Sequence, residues 1–140
     1  MPQGNPAPVF GVFSGVVDHA VSGTLHAGSP VYTEASGFLN KAADGTATTA
    51  SCAGLTRQAS ARDEVVPVQY AGPLQLTVEQ WNLTIEDEGA DGLEIGATYY
   101  VGANAGKLTH NKPGSNPQQV GIASSQTTLV LNLSGPFKVN

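Results

Sequence analysis

Pro113-Gly114-Ser115-Asn116-Pro117 can neither continue a helix nor sit inside a central strand, so it divides the stretch from Gly92 to Gly135 into short β elements. Before it, Thr98-Tyr99-Tyr100-Val101 is a β-favouring run entered through Gly96, and Ala103-Asn104-Ala105-Gly106 supplies turn residues ahead of Lys107-Leu108-Thr109. That order predicts a hairpin. After it, Gln118 to Ile122 begins one further element and Thr127 to Leu133 another.

The same plan recurs between Gly28 and Pro73. Pro30-Val31-Tyr32 precedes Gly37-Phe38-Leu39 as Thr98-Tyr99-Tyr100 precedes Gly106-Lys107-Leu108. Ala53-Gly54-Leu55 stands where Val120-Gly121-Ile122 stands, and Val65 to Gly72-Pro73 where Thr128 to Gly135-Pro136 stands. The spacing drifts from 68 residues (Tyr32 to Tyr100) to 63 (Gly72 to Gly135), so the repeat is approximate. A β unit of half the chain's length is marginal alone, burying only about 60% of its unfolded surface, which favours two units sharing a core. Seventeen glycines, nine prolines and the lack of a helical apolar period complete the expectation of an all-β chain. Two similar hairpin-rich units pack as one compact barrel-like or sandwich-like domain, with an extended arm over 1–8, a first unit over 9–80, an acidic connector over 81–94 and a second unit over 95–140.

Charge narrows the function classes. Six Lys or Arg against eleven Asp or Glu, scattered along the chain, do not make the basic footprint that nucleic acid requires. A surface of Thr, Ser, Asn, Gln, Gly and Ala is instead cheap to desolvate on assembly. No segment reaches the roughly 20 apolar residues of a membrane-spanning helix. Cys52 is the single cysteine, which allows no internal disulfide and no cysteine-rich metal site, and it reads as a small buried residue at a strand start. No cofactor is expected: phosphate-binding glycine loops, a Gly-x-Ser-x-Gly turn and a His-x-x-x-His pair are all missing from the sequence. Asp18-His19 does not make a catalytic pair, because neighbours in a strand point to opposite faces.

Three local stretches carry site expectations. The first is the arm, MPQGNPAP, whose prolines prevent helix and favour an extended segment able to dock on a neighbour. Pro2, Asn5, Pro6, Pro8, Val9 and Phe10 are therefore interface candidates. Pro67 is another, since it removes a ladder donor from Val65–Tyr70 and places that strand at an edge or turns the proline position off the ladder. Ala43 to Ala53, almost all small residues, is expected as a strand edge or ordered loop. Leu74, Leu76 and Val78 alternate as in a strand, although Thr77 with Gln80 also fits the capping box of a helical turn. Trp81, the only tryptophan, is the expected anchor between the units, its alternative being a stacking platform. Five carboxylates lie between Glu86 and Glu94, but they miss the EF-hand spacing, so a solvated acidic turn is expected.

The pattern GLEIGATYYVGANAGKLTHNKPGSNPQQVGIASSQTTLVLNL resembles a glycine-led Tyr-Tyr hairpin followed by a Val-Gly-Ile strand and a Thr-Leu-Val strand in tailed-bacteriophage virion proteins. With Gly28-Ser29-Pro30-Val31-Tyr32, Ala53-Gly54-Leu55 and the Val65 to Gly72 run ahead of it, the whole chain is similar to the small capsid decoration, or cement, proteins. The acidic run from Glu86 to Glu94 departs from the Gly, Ser and Thr expected there. The resemblance implies a non-enzymatic protein on the outer surface of a virion capsid, bound to the major capsid protein as a small symmetric homo-oligomer, a trimer by preference, and stabilising the shell. A tail-fibre or receptor-binding β module is the alternative from the same virions. A carbohydrate-binding module, from another class, would need exposed aromatics among Tyr32, Tyr70, Trp81, Tyr99 and Tyr100.

Overall fold

A computed structural model describes residues 15–86, 91–114 and 116–134. The order is β1 (Val16–Ala20), β2 (Pro30–Thr33), β3 (Leu39–Lys41), α1 (Ala47–Ala50), β4 (Gly54–Thr56), β5 (Val65–Gln69), β6 (Ala71–Gln75), α2 (Val78–Thr84), β7 (Thr98–Val101), β8 (Leu108–Thr109), β9 (Gln119–Ala123) and β10 (Thr128–Ser134). The fold is all-β. It holds two five-stranded antiparallel sheets, ordered β1-β5-β4-β2-β3 and β6-β10-β9-β7-β8.

These orders superpose strand for strand, with β1, β2, β3, β4 and β5 answering to β6, β7, β8, β9 and β10. Registers agree residue by residue. Val31 opposes Gly54 as Tyr99 opposes Gly121, and Leu55 opposes Gln69 as Ile122 opposes Val130. Even an isolated parallel bridge recurs, Val21 with Leu39 and Ile85 with Leu108. Two glycine pairs show why the sequence punctuation repeats. Gly28 and Gly96 both take left-handed φ values, 82° and 85°, and donate to equivalent carbonyls, those of Thr56 and Ala123. A Cβ on Gly54 would lie 2.6 Å from the carbonyl oxygen of Gln69, and one on Gly121 would lie 2.3 Å from that of Val130, so both positions hold two strands at closer approach than a side chain permits.

Between the sheets the division differs from the expected one. β6 pairs with β10, so the boundary falls between Gln69 and Ala71 and not at residue 80. Gly72, at φ 80°, corresponds to Gly15, at φ 77°, ahead of β1. The strand reading of residues 74–78 ends at Gln75, because Thr77 caps α2: its hydroxyl accepts from Gln80 N–H and the Gln80 side chain returns a bond to Thr77 N–H. The seven residues of α2 are an insert, since the first unit runs from β1 straight into Val21. The stretch from Ala43 to Ala53 likewise holds a one-turn helix, α1, closed by a Thr46–Thr49 capping box.

One core spans the seam. Ala27, Ala42 and Leu55 from the first unit cluster with Leu74, Leu76, Trp81, Ile85, Leu93, Tyr99, Leu108 and Leu129 from the second. A smaller cluster of Val21, Leu25, Val31, Leu39, Val66 and Val68 belongs to the first unit alone. The seam is also hydrogen-bonded: Gly106 N–H donates to Ala42, Asp44 N–H to Gly102, and the Thr84 hydroxyl to Ala27. These bonds satisfy backbone groups that burial would otherwise leave unpaired.

Candidate interaction surfaces

Pro2, Asn5, Pro6, Pro8, Val9 and Phe10 lie outside the described residues. What is described is the point at which the chain enters the first sheet. Gly15 accepts from Tyr70 N–H, and its α-carbon is so close to Ala71 that a Cβ would sit 2.6 Å from that carbonyl oxygen. β1, which follows, is an edge strand.

Pro67 is half-buried and does not mark an edge, because β5 lies between β1 and β4. Its carbonyl accepts from Arg57 N–H, so its nitrogen faces the β4 side, where β4 has already ended at Thr56. The missing donor thus falls beyond the ladder, and β5 remains internal. Pro73 is the proline on an edge. Leu76 N–H donates towards Thr127 on the β10 side, so the groups of Ala71 and Pro73 face outward, and both carbonyls accept from the buried Gln69 side-chain amide at 3.0 and 2.7 Å. Gln69 therefore occupies an edge that would otherwise be open to strand pairing.

Trp81 is fully buried in the seam cluster, with its indole N–H donating to Thr127 carbonyl at 2.8 Å. Its ring lies over Gly28, where a Cβ would approach to 3.0 Å. Tyr99 is fully buried too, its hydroxyl accepting from Glu94 N–H at 2.8 Å, so neither ring can furnish a sugar-stacking face.

The acidic run is not uniformly solvated. Asp91 and Glu94 are exposed, but the Glu86 carboxylate accepts from the backbone N–H groups of Ala103 and Asn104 and from the Asn104 side chain, at 2.9 to 3.1 Å. It caps the β7–β8 turn, and Gly102 is required there because a Cβ would lie 2.7 Å from that carboxyl carbon. Asp44 lines the same surface depression; burial first, and then the Glu86 charge, raise its pKa above the ordinary value. On the first unit, hydrogen bonds from Asn40, then Ser22 and Ser36, hold Glu34 below it. Burial pushes the Cys52 thiol up to about 12, which suppresses the thiolate. Among the described residues no group of three or more His, Cys, Asp or Glu side chains is placed to hold a metal ion.

The surface that sequence reading missed is apolar. Thr98, Ile122, Val130 and Pro73 oppose one another across β7, β9, β10 and β6, forming one row on the outer face of the second sheet. Ile122 is 45% exposed and Val130 39%. Both lie in β-favouring runs that pattern alone assigns to a core. The sequence matches no protein-family model and no curated protein.

Proposed function

We propose that this chain is a non-enzymatic virion structural protein that binds the outer surface of an assembled tailed-phage capsid as a homo-oligomer and stabilises it. The observation that supports this reading is the duplicated unit. The stretch that resembles virion β modules folds as four consecutive strands, β7 to β10, and the same four-strand unit precedes it as β2 to β5. Within this reading each unit curls towards a small barrel, the Val21–Leu39 and Ile85–Leu108 bridges drawing the chain back to the far edge of its sheet. Attachment uses the proline-rich arm and the adjoining β1 edge, where an extended segment satisfies backbone donors and prolines limit the entropy lost on ordering. The low charge of the chain reduces the desolvation cost of that contact.

Electron cryomicroscopy of capsids incubated with the full-length protein, and with a variant beginning at Val9, tests the proposal. Added density on the outer shell with full-length protein is the expected result. Bare capsids would refute decoration and favour the fibre-module alternative, whereas equal decoration by the shortened variant would remove only the arm from the account.

A further inference from the structure

The two units are equivalent in register but not in environment. Leu55 and Gln69 of the first sheet, which correspond to Ile122 and Val130, are 0% and 4% exposed, against 45% and 39%. Val17, opposite Val68, corresponds to Leu74, opposite Leu129; here the first unit is the open one, with Val17 48% exposed and Leu74 1%. Leu55 and Leu74 belong to the same buried cluster at the seam. The seam thus covers the outer row of the first unit and the Leu74 side of the second, and leaves open the outer row of the second and the Val17 side of the first. A two-fold arrangement would place equivalent residues in equivalent surroundings, so the packing within the chain is head to tail. Head-to-tail packing leaves one complementary surface unused at each end, and a further copy satisfies both.

From this asymmetry we infer that the Ile122–Val130 row is covered by the β1 side, around Val17, of a second copy of this chain. This names the surface of the self-association proposed above, and it stands or falls separately from capsid attachment. Two exposed apolar surfaces on one small chain are matched by the pair already buried inside it, Leu55 with Leu74, which is the reason for choosing a second copy over an unrelated partner. The contact is heterologous, so it generates a ring where the rotation closes.

Sedimentation equilibrium on the full chain tests it, with thermal unfolding as the check on folding. The wild type should be multimeric. Ile122→Glu and Val17→Lys should each weaken association by about 100-fold or more, since each buries an unpaired charge at the contact. Val130→Lys serves as a second variant in the same row should Ile122→Glu fail to fold. The double variant Val17→Lys with Ile122→Glu should regain the multimer, because every contact then carries an opposite-charge pair. Ile95→Glu, at a 66% exposed site away from the row, should leave the mass unchanged. A monomeric wild type, or folded single variants with the wild-type mass, would overturn the inference, and so would a double variant that stays monomeric. A multimer that leaves capsids bare would overturn only the decoration proposal.

Discussion

Replacing Trp81 with Ala removes the largest side chain of the seam, and the structure sets the size of the effect. Trp81 is 0% exposed and shares a cluster with Ala27 and Leu55 of the first unit and Leu74, Leu76 and Leu93 of the second. Gly28 faces the ring with no side chain of its own to fill the space, and backbone hydrogen bonds hold the surrounding strands, so collapse around the void is limited. A buried Trp→Ala change costs about 3–5 kcal/mol under such conditions. That is a third or more of the roughly 5–15 kcal/mol that stabilises a domain of this size. The lost indole N–H bond adds little, because Thr127 carbonyl still accepts from Leu76 N–H at 2.9 Å and is not orphaned. Trp81→Phe should therefore cost only about 1–2 kcal/mol, from the smaller void. Denaturant midpoints followed by far-UV circular dichroism give both values, since the variants lack the only tryptophan. A loss below about 1 kcal/mol for Trp81→Ala, with an unchanged denaturant slope, would refute the account of the seam as a shared core.

Three further outcomes follow from particular contacts. Gly121→Ala should lower the melting temperature by roughly 5–10 °C, because its Cβ would meet Val130 carbonyl oxygen at 2.3 Å and part β9 from β10, whereas Gly114→Ala, with nothing within 4 Å, should change it little. Asp44 binds its proton more tightly in the folded state, so its contribution is full below its ordinary pKa and is lost as pH rises through the raised folded value. Asp44→Asn should gain stability relative to the wild type as pH rises between about 3 and 6, and a pH-independent difference in melting temperature would contradict this. Cys52 should resist a thiol-specific reagent in the native state and react on unfolding, since burial holds its thiol protonated; rapid stoichiometric labelling of the folded protein would show that burial to be wrong.

Local physics was legible in the chain itself. The Tyr32/Tyr100 and Gly54/Gly121 correspondences were readable because a glycine needed for a left-handed turn or a close strand approach leaves a mark that does not depend on the rest of the molecule. The Thr77–Gln80 cap and the β7–β8 hairpin were readable for the same reason, since each is closed by residues a few positions apart. Non-local choices were not. Pro67 suggested an edge, yet β5 is internal, because β4 stops one residue short of the missing donor. β6 follows β5 after a single residue but pairs with β10, more than 50 residues along the chain. Glu86 read as solvent-facing until the β7–β8 turn placed three donors around it. Leu55 and Ile122 show the limit most directly, as they hold the same place in the same repeated pattern. One is sealed in the core and the other stands open, because burial belongs to whatever packs over a residue, and only the head-to-tail seam between the units decides that.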